Sequence, residues 1–104
     1  MTIYCFDIDG TICVNTDGSY EEAIPFLERI QQLNKLYDAG HEIILFTARG
    51  SKTLIDWSEV TKKQLLDWGV KYHKLLFGKP HADVFIDDKA INDKDWFKMV
   101  TINN

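Results

Sequence analysis

Short apolar runs alternate along this chain with longer segments whose apolar residues recur every three or four positions. The first run, Ile3-Tyr4-Cys5-Phe6, predicts a buried strand over Ile3 to Asp7. Residues Ile12 to Ser19 read as a loop, with Asn15, Asp17 and Gly18 as turn formers. A helix is expected from near Pro25 to Ala39. Pro25 suits its first turn, Leu27, Ile30, Leu33 and Tyr37 share one face, and Gly40 can close it. Glu42 to Phe46, leading into Thr47, predicts a second buried strand, and Ala48 to Ile55 a loop. Asp56 with Glu59 three residues on resembles a capping box, opening a helix that runs to Trp68 and ends at Gly69. A short strand follows over Lys74 to Phe77, then a turn at Gly78-Lys79-Pro80. Asp83 to Ile86 reads as a fourth strand ending at Asp87-Asp88. Asn92 to Phe97 reads as a helical turn, and Met99 to Ile102 as a last edge strand.

Apolar strands alternating with amphipathic helices predict a parallel sheet covered on both faces, a three-layer α/β/α, Rossmann-like fold. In such sheets the ligand site lies outside the carboxyl ends of the strands. The polar residues at those ends are Asp7 with Asp9, Thr47 with Arg49, Lys79, and Asp87 with Asp88. Separated segments thus deliver carboxylates, a hydroxyl and two cations to one edge.

Length changes the picture little: 104 residues suffice for one domain, 1–104, and at 45% hydrophobic it can fill a single core. The net charge of -4, with no Lys/Arg run longer than two, does not suggest nucleic-acid binding. Apolar stretches are far shorter than a membrane span. The first strand begins at once, so no signal peptide is expected. Cys5 and Cys13 have no metal-type spacing. A reduced, cytoplasmic protein is expected.

Asp7-Ile8-Asp9-Gly10-Thr11 is the most informative segment. Two carboxylates two residues apart on a strand point to the same side. Such a pair is costly unless a cation or proton is shared. Carboxylate oxygens without His or thiolate partners suit a hard cation, with Mg²⁺ the default. Lys79, Arg49 and Thr47 supply donors for an anion with several oxygens, and a metal among such donors is a phosphate site. A carboxylate can attack phosphorus, and a second one can serve as general acid and then base.

At this point the chain resembles the haloacid dehalogenase (HAD) superfamily of phosphatases. Asp7 to Thr11 matches its first motif, Thr47 its second, Lys79 its third, and Asp87-Asp88 its fourth, in order. The resemblance implies Asp7 as nucleophile and Mg²⁺ ligand, and Asp9 as general acid/base that also offers its carbonyl to the metal. It implies that Thr47 and Lys79 bind the phosphoryl group, with Asp87 and Asp88 as further metal ligands. Thr11, Ala48 and Arg49 become substrate-binding candidates; Arg49 resembles a basic residue of polynucleotide-phosphatase members. Ile12 to Tyr20 and Gly50 to Ile55 are too short to fold as a cap domain, so a capless member is implied. Thr47-Ala48-Arg49-Gly50, Trp57 to Gly69 and Gly78-Lys79-Pro80 are similar to small phosphatases of capsular-polysaccharide biosynthesis. That points to a sugar phosphate, and an uncapped site acting on a small substrate implies a homo-oligomer.

Alternatives stay open: a polynucleotide or nucleotide phosphatase, or a non-catalytic phospho-acceptor or scaffold domain. Against a receiver-type domain, no lone aspartate closes a central strand, and an aspartate pair ends the set. His41, His73 and His81 share no metal-type spacing. Trp57, Trp68 and Trp96 read as core or interface residues.

Overall fold

The computed structural model describes residues 1–102, with side chains through residue 99. Strand β1 covers Ile3–Phe6, helix α1 Leu27–Asp38, strand β2 Glu42–Thr47, helix α2 Ser58–Asp67, strand β3 Lys74–Phe77 and helix α3 Asp93–Ile102. A 3-10 turn spans Tyr20–Glu22. The strands form a parallel sheet in the order β1-β2-β3, with Ile3 opposite Glu42 and Ile44 opposite Lys74. The expected α/β parallel sheet therefore forms, with β1, β2 and β3 close to their expected bounds.

The two crossovers step in the same direction across the sheet, and α1 and α2 pack on the same face. Tyr4, Phe6, Ile43 and Leu45 line that face. They share one cluster with Ile30 and Leu33 of α1 and Leu65 of α2. α3 joins the same side: Trp96 packs edge-on against Phe6 at 5.3 Å between ring centres. Arg29 of α1 ties α3 down through Asp93 at 2.7 Å and by lying 4.7 Å over the Phe97 ring. The opposite face, with Ile3, Cys5, Ile44, Phe46 and Leu76, is half-buried to exposed, so the expected helical cover on that second face does not form among the described residues.

α2 shows how the sequence stops a helix. The Val70 N–H donates to the Leu65 carbonyl and Gly69 N–H to Leu66, while Gly69 takes φ +71°, which a Cβ would penalise. The start of α2 differs from the expected capping box. Asp56 stands one residue too early and accepts instead from the Ser58 N–H at 2.9 Å. α1 likewise opens at Leu27, two residues after Pro25, which bridges to Cys13.

Two expected strands do not form. Residues 81–90 are exposed, with Ile86 96% and Val84 71% accessible, and Asp83 to Ile86 pairs with no strand. Val, Phe and Ile suit a strand, but that preference is for a half-buried pleated surface and counts only against a partner. Phe85 instead turns toward Lys79, whose Nζ lies 4.6 Å over its ring. β1 is left as the edge of the sheet. Met99 to Ile102 is the last turn of α3 rather than an edge strand. A β-branched residue costs a helix at most about 0.7 kcal/mol, less than the packing of Trp96 and Phe97 returns. Among the described residues no helix is long and apolar enough to cross a membrane.

Candidate active site

The site begins where β1 runs out. Ile8 is fully buried in the core, so Asp7 and Asp9 on either side of it face the other way. The chain then turns back on itself: Thr11 and Ile12 N–H groups donate to the Ile8 carbonyl, and Gly10 N–H donates to Cys13. Gly10 sits at φ +85°, the sharp turn its place after the acidic pair implies. Asp7 and Asp9 open together onto a pocket of about 600 Å³, also bordered by Ala48, Lys79 and Phe85. That volume suits a small organic ligand.

Each carboxylate has its own cation. Lys79 Nζ lies 3.5 Å from Asp7 Oδ1. The loop after β3 carries it there: Lys79 N–H donates to the Thr47 carbonyl, and the Ser51 hydroxyl donates to the Lys79 carbonyl at 2.7 Å. Burial nevertheless raises the Asp7 carboxyl above the usual carboxylate range; Lys79 offsets only part of that cost. Asp9 meets Arg49 as a two-pronged pair, Nε to Oδ2 and Nη2 to Oδ1, both 2.9 Å. The Cys13 thiol, pushed up to about 12 mainly by burial and then by Asp9, stays protonated and donates to Asp9 Oδ1 at 3.5 Å.

Arg49 is itself anchored. Its side chain exposes no surface. Nη1 donates to Thr61 Oγ1 at 3.0 Å and to Gln64 Oε1 at 2.6 Å. Gln64 in turn donates to the Tyr20 carbonyl, and the Tyr20 ring covers the guanidinium at 4.8 Å. Tyr20 stands edge-on to Trp57 at 5.0 Å, and both rings border the pocket.

Of the expected residues, Asp7, Asp9, Ala48, Arg49 and Lys79 come together at this pocket. Thr47 sits beneath it, fully buried, with its hydroxyl accepting the Arg49 N–H at 3.1 Å. Thr11 lies past the turn, where its carbonyl accepts from Arg29. Asp87 and Asp88 are exposed on the 81–90 segment and do not border the pocket. The expected cluster of Asp7, Asp9, Asp87 and Asp88 is therefore not assembled. Among the described residues no three His, Cys, Asp or Glu side chains gather as a metal site. Asp9 is already neutralised by Arg49, which leaves Asp7 as the one pocket carboxylate of that set without a bidentate partner. In this arrangement the expected four-carboxylate Mg²⁺ site is not formed, and Asp7 is the carboxylate of that set left open to a cation. The physical reason is the unpaired 83–86 segment: carboxylates at its end reach Asp7 only if it lies along β1.

The partners of Arg49 escaped the sequence reading. Thr61 and Gln64 stand three residues apart on one side of α2, a polar pair beside the buried Leu65. A buried threonine within an amphipathic helix was the available signal. Tyr20, just past the segment read as a loop, carried none.

No protein-family model and no curated protein matches the sequence. Solved structures do. A structural-genomics target protein from Vibrio cholerae is 28% identical, superposes with a TM-score of 0.83, and the match covers 92% of this chain and 87% of that one. The D,D-heptose bisphosphate phosphatase of B. bronchiseptica, crystallised with magnesium and phosphate, is 21% identical at TM-score 0.58 over 86% of this chain and 54% of its own. A chain of the Pnkp1/Rnl/Hen1 complex is 21% identical at TM-score 0.59, over 93% of this chain and 33% of its own. The fold class these define is an α/β, Rossmann-type, HAD-like one, and one of these solved examples is a phosphatase.

Proposed function

We propose that this chain is a phosphomonoester hydrolase that passes the phosphoryl group through Asp7. The observation that carries this is the pairing of Asp7 with Lys79 Nζ at 3.5 Å on a pocket that Asp9 shares. An Asp7 oxygen attacks phosphorus and the bond to the ester oxygen breaks. Asp9, protonated at that moment, gives its proton to the departing oxygen. Water then attacks the phosphorus of the acyl phosphate and yields a proton to Asp9. The Asp7–phosphorus bond breaks, and inorganic phosphate leaves. Lys79 neutralises the phosphoryl oxygens through both steps.

The substrate we favour is a sugar phosphate. The Tyr20, Trp57 and Phe85 rings offer apolar faces for a sugar, and Asn15, Asp17 and Thr53 offer polar groups for its hydroxyls. A role in capsule-polysaccharide assembly rests on the sequence resemblance alone. Mg²⁺ enters as the cation that Asp7, Asp9, Asp87 and Asp88 would hold if the 81–90 segment closed on β1. The test is turnover of an aryl phosphate, then of a panel of sugar phosphates, nucleotides and phosphorylated oligonucleotides. Acid-quenched protein should carry hydroxylamine-sensitive phosphate that Asp7→Asn lacks. Turnover by Asp7→Asn at the wild-type rate would remove Asp7 from this role, and preference for oligonucleotides would replace the sugar.

A further inference from the structure

We propose that Arg49 is a positioning residue that acts on the reaction through Asp9 and does not grip the substrate phosphate. This rests on the hydrolase reading above. An arginine that binds phosphate needs donors free at the pocket. A guanidinium has five N–H groups. Four are committed here: Nε and one of Nη2 to Asp9, and both of Nη1 to Thr61 and Gln64. The fifth belongs to a side chain that exposes no surface, with the Tyr20 ring over it. To reach a phosphate the buried guanidinium would have to give up its two bonds to the half-buried Asp9 carboxylate, the costly way to break such a pair.

The arrangement suits a different task. A group that gives a proton to one oxygen and takes one from another must hold its place through two steps. A carboxylate has about four lone-pair sites. The two prongs of Arg49 use one on each Asp9 oxygen, and the Cys13 thiol, whose one S–H is shared with the Ile8 carbonyl at 3.6 Å, faces a second on Oδ1. One site on Oδ2 is left for the reacting oxygen. Thr61 and Gln64 fix Arg49 from α2, and the Gln64 bond to the Tyr20 carbonyl extends that hold to the pocket rim.

A leaving-group comparison separates the two roles. The kcat/KM reports the first step, in which a misplaced general acid hurts esters with poor leaving groups most. It should be measured for an alkyl phosphate and for dinitrophenyl phosphate, with inhibition by inorganic phosphate alongside. Arg49→Lys should lower the alkyl value about 10²-fold and the dinitrophenyl value far less. Phosphate inhibition should stay within about twofold of wild type. In an Asp9→Asn background, Arg49→Lys should cost nothing more, because its effect runs through Asp9. An equal loss on both esters, with phosphate inhibition weakened about tenfold, would place the guanidinium on the phosphate and overturn the proposal. If Arg49→Lys does not fold, Gln64→Met decides. It touches neither Asp9 nor the charge of Arg49, and the same bias toward the alkyl ester, smaller in size, is expected. A uniform loss or none there also overturns the proposal. A wild-type protein inert on every phosphate ester would instead remove the hydrolase reading itself, and this assignment with it.

Discussion

The ends of β1 and β2 carry the same kind of residue as the 81–90 segment, yet the two regions settle their charges differently. Asp7, Asp9, Arg49 and Lys79 find opposite charges within 3.5 Å, with partners 40 and 72 residues away along the chain. Asp87 is satisfied at home. Its Oδ1 accepts the Lys89 N–H at 2.7 Å, and that bond, with one to Asp88, holds its carboxyl below the usual range. A local side-chain turn of this kind competes with the extended backbone a strand requires. The contrast teaches that carboxylates at the end of an apolar run become a site only where a neighbouring strand fixes the run.

That contrast also accounts for what the sequence could reveal. β1, β2 and β3 were legible because apolar runs between turn residues have few other uses, and α1 because its stripe has the helical period. Asp7, Asp9, Lys79 and Arg49 were legible as a set because parallel strands deliver their ends to one edge. The 83–86 strand was misread because Val84, Phe85 and Ile86 have the right propensity and no adjoining edge in the structure. Met99 to Ile102 was misread because β-branched residues suggest strand, while the packing of Trp96 and Phe97 continues the helix. The role of Arg49 was hidden because Thr61 and Gln64, its partners, lie 12 and 15 residues away on a helix read only from its capping pattern and its closing glycine.

The largest effects should fall on the ordered region. Asp7→Asn should reduce turnover below detection while the protein stays folded, since an amide of nearly the same shape is a poor nucleophile. Asp9→Asn should slow turnover by about 10²–10⁴-fold. Steady-state rates with an aryl phosphate, beside circular dichroism spectra, check both. Near-wild-type rates in either variant would break the equation of this region with the reaction.

Next in size is packing. Leu45 is fully buried in β2, so Leu45→Ala should cost about 2–5 kcal/mol in urea unfolding. Ile86 is exposed, so Ile86→Ala should change stability by no more than about 0.5 kcal/mol. A cost for Ile86→Ala as large as that for Leu45→Ala would show the 83–86 segment buried in solution, and the difference between the regions would vanish.

Mg²⁺ sharpens the same comparison. If the cation gathers Asp87 and Asp88 against Asp7, it binds the folded state alone and should stabilise it by about 1.4 kcal/mol at ten times its Kd. Thermal melts should then rise by roughly 4–11 °C, amide exchange over 83–86 should slow, and Asp87→Asn should lose both effects. Melts indifferent to Mg²⁺ at concentrations that support turnover would leave the segment outside the site and Lys79 as the counter-charge of Asp7.

The smallest effect concerns Asp7 without metal. Its carboxyl titrates above the ordinary value of 3.8 because burial penalises the charge more than Lys79 relieves it. The folded state therefore holds this proton more tightly than the unfolded chain does. A raised folded value gives a contribution that is full at pH below the unfolded value and is lost as pH climbs through the folded one. In chelator, wild type should lose stability across that window relative to Asp7→Asn, which has no proton to release there. At neutral pH the asparagine variant should melt higher, and the gap should close as pH falls below the ordinary carboxylate value. Thermal melts of both proteins from neutral to acid pH measure it. An Asp7→Asn variant that melts lower than wild type at neutral pH, with the deficit shrinking in acid, would mean that the Lys79 contact outweighs burial. Asp7 would then be a carboxylate stabilised by its lysine.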